Sequence, residues 1–365
     1  MAWPGTRAAE LLGVRYPLVQ APMSGSDTPE LAAAVSNAGG LGSFGGARAQ
    51  HEELRAAIRR IRELTDRPFA INLFAWNAVE IPDADAAAVV AALAPLYDEL
   101  GVVAPDVRLP FDPQALLEEQ LAVIADERVP VFSFTFGIPP LDDVRASGAV
   151  LAGTATTAAE AEALESAGVD VVVAQGSEAG GHRGTFLHEF EDGLIGSLAL
   201  VPAVVDRVSV PVLAAGGISD GRGIAAALAL GATGAQIGTI FLTCPESAAS
   251  DLHKAMVADR SRPTIVTDRY TGRPVRAFRT RIADELERAG VASLPFLLQQ
   301  VVTEPIRRAA AEQGRADLAI ALAGQGPPRA DAAGAADLLG ALVAETEQAL
   351  DRLSDGPAAQ DRLER

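Results

Sequence analysis

The chain has 365 residues, 49% hydrophobic and 21% charged, so it is long enough to build the core of one large domain or two smaller ones. Its formal net charge of −18 argues against nucleic acid as a partner, and its single cysteine, Cys244, excludes an intramolecular disulfide framework. The chain has no secretion-signal pattern and no apolar run near the roughly 20 residues that cross a bilayer, so we expect a cytoplasmic protein without membrane contact.

Short apolar runs recur along the chain, and most are followed by an Ala/Leu-rich helical stretch. Eight candidate strands cover residues 17–21, 40–44, 68–73, 129–135, 149–153, 169–175, 210–215 and 234–238. Helices are predicted over 29–38, 51–64 and 113–127. Alternating strands and helices form parallel sheets through right-handed crossovers. Eight such units favour an α/β fold of the closed (β/α)₈ TIM-barrel type, and the alternative is an open, doubly wound sheet.

Two stretches do not fit this repeat. Residues 76–112 follow the third predicted strand and are too long for an ordinary βα loop, which predicts a helical insertion or lid on the active-site face. Residues 284–353 carry leucines at helical spacing and are expected to form helices on the outside of the barrel, where they could serve a homodimer. We therefore predict one domain over 1–353 and a polar tail over 354–365.

Two glycine-rich loops follow the last two predicted strands, at 214–219 and 236–239. Barrels often bind phosphate at these positions, where glycine lets the backbone approach closely and a helix start near Thr239 adds N–H donors. The alternative is that Gly216, Gly217 and Gly238 only form tight turns. No G-x-G-x-x-G spacing is present, so a Rossmann nicotinamide site is not supported.

A third glycine-rich loop, 176–184, follows the sixth predicted strand and contains His182. His182 is the best candidate for acid–base chemistry, although backbone carbonyls could instead satisfy its ring. A metal site from Glu178, His182 and His188 lacks a recognised ligand spacing, and His188 is expected to be structural. The other two histidines, His51 and His253, fall in helical segments and are expected to be solvated.

Segments 19–23, 174–185, 214–242, 271–276 and 323–325 together resemble the nitronate monooxygenases, formerly called 2-nitropropane dioxygenases. The resemblance extends from about residue 11 to residue 326. It implies an FMN-dependent barrel enzyme that oxidises alkyl nitronates with O₂ to a carbonyl compound and nitrite, and it leaves nitroalkanes open as a second substrate class.

The resemblance also implies which residues bind the cofactor and which one is catalytic. In the family's pattern the histidine that ends a Glu-Ala-Gly-Gly-His run faces the flavin. In this chain the run covers residues 178–182, and the histidine is His182. Residues implied to contact FMN are Pro22, Met23, Ser24, Asn72, Gln175, Gly180, Gly181, Gly216, Gly217, Gln236, Ile237, Gly238 and Thr239. Thr135 stands where many relatives carry a second histidine, which leaves a second-histidine contribution to substrate binding in doubt.

The chemistry of these side chains fits a flavin enzyme, because the cofactor performs the redox step while the protein supplies position and charge. His182 could donate a hydrogen bond to an anionic nitronate, or remove the α-proton of a neutral nitroalkane. The amides of Asn72 and Gln175 suit the polar edge of the flavin ring, and the alternative is that they cap turns. Arg183 could attract an anionic substrate or could be a surface residue.

The main alternative function is that of an NAD(P)H-dependent flavin reductase, either a type II enoyl-acyl-carrier-protein reductase or a quinone reductase. Residues 184–187, the insertion at 76–112 and residues 243–247 favour the nitronate branch. A barrel that binds a phosphorylated metabolite without redox chemistry is the alternative from a different class.

Overall fold

The computed structural model describes residues 6–75, 83–109, 111–259, 262–327, 329 and 334–355. The strands, numbered in chain order, are β1 Leu18–Gln20, β2 Gly42–Gly45, β3 Phe69–Phe74, β4 Val131–Thr135, β5 Val150–Ala155, β6 Val171–Gln175, β7 Gly181–His182, β8 Val212–Ala215, β9 Gly234–Ile237, β10 Thr264–Thr267 and β11 Val275–Phe278. The eight predicted strands correspond to β1–β6, β8 and β9.

These eight strands form one parallel sheet in the order β1-β9-β8-β6-β5-β4-β3-β2. A parallel bridge between Val19 of β1 and Leu41, next to β2, closes the sheet on itself. The (β/α)₈ barrel is therefore confirmed, and the open doubly wound sheet is wrong.

Side chains alternate between the two faces of each barrel strand. On β3, Phe69, Ile71 and Leu73 belong to the apolar core that the strands share with the outer helices. Ala70, by contrast, packs in a separate inner cluster with side chains from other strands, such as Val131. Toward the carboxyl ends of the strands the inner positions become polar. This upper layer consists of Asn72, Ser133, Thr154, Gln175 and Gln236.

The helices lie around the barrel and beyond its ends. They are α1 Arg7–Leu12, α2 Pro29–Asn37, α3 His51–Leu64, α4 Asp83–Leu100, α5 Pro113–Asp126, α6 Asp142–Ala146, α7 Ala158–Ser166, α8 Ser197–Val205, α9 Gly221–Ala229, α10 Asp251–Ala258, α11 Arg281–Ala289, α12 Leu298–Glu312 and α13 Ala335–Asp355. Helices α2 and α5 each begin with an N-cap residue followed by proline. The N-cap side chains of Thr28 and Asp112 accept hydrogen bonds from backbone N–H groups of the first turn. Among the described helices, none is long and apolar enough to span a membrane.

A three-stranded antiparallel sheet, β10-β11-β7, lies outside the barrel order and was not predicted. Its short strand β7 is part of the segment that we expected to be an irregular loop. His182 pairs with Val275, and Gly181 pairs with Arg276. A two-residue strand has too few positions to display a period of two, so its partner could not be read from the sequence.

We use the name cap for residues 83–100 and 251–312. Within the described part of these ranges, α4, α10, α11, α12 and β11 share a second apolar core, separate from the barrel's. The insertion predicted at 76–112 thus contains α4, while residues 76–82 and 110 lie outside the described residues. Ion pairs from Glu99 of α4 to Arg281 and Arg315, both 2.7 Å long, connect the insertion to the later segments.

The three helices of the C-terminal stretch differ in position. Only α13 lies against the outer helices α2 and α9, where Leu339 and Leu342 are buried. Helices α11 and α12 pack on α4 instead. The leucine spacing predicts an apolar face but does not specify which surface that face covers. Helix α13 ends at Asp355, and residues 356–365 of the predicted tail lie outside the described residues.

Candidate active site

A cavity of about 270 Å³ opens at the carboxyl ends of the barrel strands. The residues predicted from the sequence that line it are Pro22, Met23, Ser24, Asn72, Gln175, Gly180, Gly181, His182, Gly216, Gly217, Gln236, Gly238 and Thr239. Ile237 differs, because its side chain packs in an outer apolar cluster with Leu18 and Leu31. The cause is strand alternation: Gln236 lines the cavity, so its neighbour on β9 faces the helices.

The glycine loops after β8 and β9 form one wall of this cavity. Gly216 and Gly217 have φ angles of +110° and +72°, which favour glycine over residues with side chains. A Cβ on Gly216 would come within 3.0 Å of the carbonyl oxygen of Gly176. No described residue accepts a hydrogen bond from the backbone N–H groups of Gly217 and Gly238. This wall suits an anion such as a phosphate.

A short 3₁₀ helix, Thr239–Thr243, begins directly after Gly238. It stands where the sequence predicted a helix start. The Thr239 hydroxyl accepts a hydrogen bond of 2.9 Å from the backbone N–H of Gly324, which ties the loop at 323–325 to this wall. The first N–H groups of a helix have no acceptor within the helix, so those of this 3₁₀ helix add hydrogen-bond donors to the same wall.

His182, on β7, lines the same cavity. Its Nε2 is 3.0 Å from the hydroxyl oxygen of Thr271, on the turn between β10 and β11. Three phenylalanine rings surround the imidazole, with centroids 6.1 Å (Phe74), 5.8 Å (Phe136) and 5.2 Å (Phe296) away. The imidazole is therefore held in a largely apolar pocket.

This environment decides the charge of His182. Burial, followed by the positive charges of Arg273 and Arg48, lowers its pKa from 6.5 to about 3. The ring is therefore neutral near pH 7. A neutral imidazole can accept a proton or donate one hydrogen bond, but it supplies no positive charge of its own.

The alternative that Arg183 is a surface residue is wrong, because this side chain is fully buried, and it is not among the residues that line the cavity. Its guanidinium donates hydrogen bonds of 2.6, 2.8 and 2.9 Å to the carbonyl oxygens of Gly176, Gln175 and Gly193. Burial lowers its pKa to about 10, so it remains a cation at neutral pH. Arg183 thus fixes the loop that carries His182.

The two amide side chains predicted at the flavin edge have different surroundings. Gln175 donates to the carbonyl oxygen of His182 at 3.0 Å and accepts from the N–H of Gly184 at 2.9 Å. Its amide therefore stabilises the turn, which is the alternative that the sequence left open. Asn72 donates to the hydroxyl of Ser133 at 2.9 Å, and both side chains line the cavity.

The remaining histidines divide into two kinds. His188 is exposed, and His51 is an exposed residue 3.2 Å from a carboxylate oxygen of Glu119. His253 was expected to be solvated, but it lines the cavity, and its Nε2 lies 2.9 Å from the carbonyl oxygen of Leu322. His253 is on α10, which belongs to the cap. The position of this helix over the cavity depends on contacts between residues far apart in the chain, so it could not be predicted from the local sequence. Within the described ranges, no group of three metal-ligating side chains comes together.

Several cavity residues were not identified from the sequence. Arg48 and Arg307 are cations that line the cavity itself, which Arg183 does not. Phe136 follows β4 directly and has a φ of +81°, a strained value for a residue with a side chain. Only the position of Phe136 at a strand end could have drawn attention to it. Phe296 comes from the cap and has no local sequence signal.

Thr135 is the position at which the resemblance implies a departure from the pattern of many relatives. Its hydroxyl oxygen lies 3.3 Å from that of Thr154, and both residues line the cavity. A hydroxyl pair can donate and accept hydrogen bonds but does not titrate near neutral pH. At this position the chain therefore offers neutral hydrogen bonding in place of a second imidazole.

A closed barrel with glycine loops after its last two strands and a neutral histidine lining the same cavity is typical of (β/α)₈-barrel enzymes that bind a phosphorylated ligand at the barrel mouth. Comparison with known proteins narrows this class. A family model described as nitronate monooxygenase matches residues 6–345. The chain belongs to this family and is a flavin-dependent oxidoreductase, as the sequence predicted.

Individual relatives agree with this assignment. A nitronate monooxygenase from Pseudomonas aeruginosa is 45% identical over 346 residues, which cover 93% of this chain and 98% of that protein. The crystal structure of nitroalkane oxidase from Streptomyces ansochromogenes is similar with a TM-score of 0.88 and 38% identity, over 94% of this chain and 99% of that one. FabK from Thermotoga maritima is more distant, with a TM-score of 0.76 and 28% identity over 96% of this chain and 99% of that one.

Proposed function

We propose that this protein oxidises alkyl nitronates with O₂ to a carbonyl compound and nitrite, with FMN as its cofactor. The observation that carries the proposal is that the neutral His182 and the glycine wall line one cavity, in a chain of the nitronate monooxygenase family. The glycine wall would bind the phosphate of the cofactor, and His182 would face the reacting part of the substrate.

The residues present fit FMN. The phosphate would lie against Gly217, Gly238 and Thr239. Gly217 has a positive φ, and the backbone N–H groups of Gly217 and Gly238 donate to no described residue, so they are available to the phosphate. Asn72 and the backbone of Met23 and its neighbours would border the flavin ring at the barrel mouth. When bound, the flavin supplies the redox chemistry by taking electrons from the substrate and passing them to O₂.

The protein's own groups handle charge and protons. The cations Arg48 and Arg307 line the cavity, and their positive charge would attract an anionic nitronate. Of the two, Arg307 also contacts a carboxylate oxygen of Glu304 at 3.0 Å. His182, being neutral, can donate a hydrogen bond to the bound anion or accept the α-proton of a neutral nitroalkane.

The decisive experiment mixes the purified yellow protein, without O₂, first with an alkyl nitronate and then, in a separate sample, with NADPH or NADH. We expect the nitronate to bleach the flavin absorbance and the nicotinamides to leave it unchanged, and we expect nitrite to form once air is admitted. Rapid bleaching by a nicotinamide with no response to nitronate would assign the protein to the flavin reductases instead. A colourless purified protein that takes up no FMN would refute the cofactor.

The same preparation tests the predicted role of His182. We expect His182→Asn to keep FMN bound, to lose most activity on neutral nitroalkanes and to lose much less on preformed nitronates, because only the neutral substrate needs a base. Equal losses on both substrates would mean that His182 acts by position or electrostatics. The homodimer and the cytoplasmic location remain predictions, and light scattering of the purified protein measures the first.

A further inference from the structure

The hydroxyl of Thr271 contacts both the ring of His182 and the backbone carbonyl of Arg273, and these two hydrogen bonds determine which ring nitrogen of His182 carries the proton. Its oxygen lies 3.0 Å from Nε2 of His182 and 3.0 Å from the carbonyl oxygen of Arg273. A carbonyl oxygen only accepts, so the single hydroxyl proton of Thr271 is donated to Arg273. The hydroxyl oxygen is then left to accept, and the hydrogen bond to His182 forms only if Nε2 carries the ring proton.

The other ring nitrogen is consequently the basic one. A neutral imidazole has one protonated and one unprotonated nitrogen, so Nδ1 of His182 keeps a lone pair. No described residue makes a hydrogen bond to Nδ1. The charged groups acting on the ring are the cations Arg273 and Arg48, while the contacting side chains of Phe74, Phe136 and Phe296 are uncharged. Among the described residues, a hydroxyl orients the imidazole where a carboxylate does so in many hydrolases.

Thr271 itself is held firmly. It is buried, and its carbonyl oxygen accepts a hydrogen bond of 3.2 Å from the N–H of Leu297. The next residue, Gly272, has a φ of +84°, and a Cβ there would lie 2.3 Å from the carbonyl oxygen of Leu294. Only glycine fits this approach, so the turn presents Thr271 in one position. Pairing of His182 with Val275 then aligns the two strands.

We propose that Thr271 is a positioning residue that fixes His182 as the Nε2–H tautomer, so that Nδ1 takes the α-proton when the substrate is a neutral nitroalkane. In that step the substrate C–H bond breaks and an N–H bond forms at Nδ1, and the electron pair left on carbon gives the nitronate anion. His182 becomes an imidazolium beside the newly formed nitronate anion, whose negative charge opposes the burial and the cations Arg273 and Arg48 that keep the ring neutral in the free protein. The hydrogen bond from His182 to Thr271 becomes charge-assisted and stronger. The inference rests on the proposed function for its substrate, but the tautomer is a property of the protein alone.

The test compares Thr271→Val, which removes the acceptor at nearly constant shape, with Thr271→Ser, which keeps the hydroxyl. Protein labelled with ¹⁵N-histidine has only four histidines, and the His182→Asn spectrum identifies the signal of His182. In the flavin-loaded wild type and in the serine variant we expect the two-bond ¹⁵N–¹H correlation pattern of a ring protonated at Nε2. In the valine variant we expect averaged ¹⁵N shifts, which indicate a mixture of tautomers.

Kinetics give the second readout. For Thr271→Val we expect kcat/KM on a neutral nitroalkane to fall about ten- to hundredfold, the value of a hydrogen bond to a charged group, with rescue by serine. On a preformed nitronate the change should stay within about twofold, and flavin content should not change. A wild-type His182 protonated at Nδ1, or a valine variant that keeps the wild-type tautomer and rate, would overturn the proposal. If no variant oxidises nitronates, the proposed function fails while the spectra still decide the tautomer.

Discussion

Acid should destabilise this protein through His182. The folded state holds the pKa of His182 at about 3, whereas an unfolded histidine titrates near its ordinary value of 6.5. Below pH 6.5 the unfolded chain therefore binds a proton that the folded protein excludes. The stability associated with this residue is complete above pH 6.5 and is lost progressively as the pH falls toward 3.

The size of the effect follows from the slope. A difference of one bound proton changes the free energy of unfolding by about 1.4 kcal/mol per pH unit. Between pH 6.5 and pH 5.0 the loss from His182 alone should thus reach about 2 kcal/mol. Other groups titrate over the same range, so the comparison must be made with a variant in which only this ring is absent.

The measurement is urea unfolding of the wild type and of His182→Asn, followed by circular dichroism at pH 7.5 and pH 5.0. The free-energy difference between the two proteins should shift by about 2 kcal/mol against the wild type at the lower pH. Equal pH dependence in both proteins would refute the argument, because it would mean that the folded wild type takes up the same proton as the unfolded chain.

Three further predictions concern two other buried side chains and one glycine of the cavity wall. The pKa of Asp27 is raised by burial from 3.8 to about 6, so wild-type stability should fall as the pH rises through this window, and Asp27→Asn should gain about 3 kcal/mol relative to it between pH 4 and pH 7 in the same assay. Arg183→Met removes three hydrogen bonds to backbone carbonyl groups and should cost about 3 kcal/mol or more in thermal unfolding, whereas the exposed control Arg222→Met should cost under about 0.5 kcal/mol. Gly217→Ala should weaken FMN binding about tenfold in a fluorescence titration, while Gly101→Ala, with a similar φ of +67° but open space around it, should leave binding unchanged. Tight FMN binding by Gly217→Ala, or a stable Arg183→Met, would contradict the role given to each residue.

The barrel could be predicted because its information is local. Each of the eight strands is a short apolar run flanked by turn residues, and the glycines at 216, 217 and 238 follow strands that must end at the same edge. His182 could be identified for the same reason, since its loop follows β6. The side chain of Ile237 faces the helices, as the alternation on β9 requires, so a contact of this residue with the cofactor stays a prediction for its backbone alone.

The contacts made by the cap could not be predicted. Thr271, Phe296 and Arg307 reach the cavity from segments more than eighty residues after His182, and nothing in their local pattern identifies their partner. Arg183 was misread because a charged residue beside a catalytic candidate suggests electrostatics. In a glycine-rich loop, however, the backbone carbonyls also need partners, and a buried guanidinium can satisfy several of them at once.

The pairing of β7 with β11 makes His182 the junction between two parts of the molecule. The barrel walls alone present the glycines that suit a phosphate, whereas the orientation of the imidazole also depends on the turn that carries Thr271. On the proposed function, damage to the cap would leave the glycine wall for the phosphate of the cofactor and yet release the imidazole that accepts the proton. Retention of colour is consequently no measure of an intact enzyme. Changes in the cap could alter which molecules react without altering which cofactor is held.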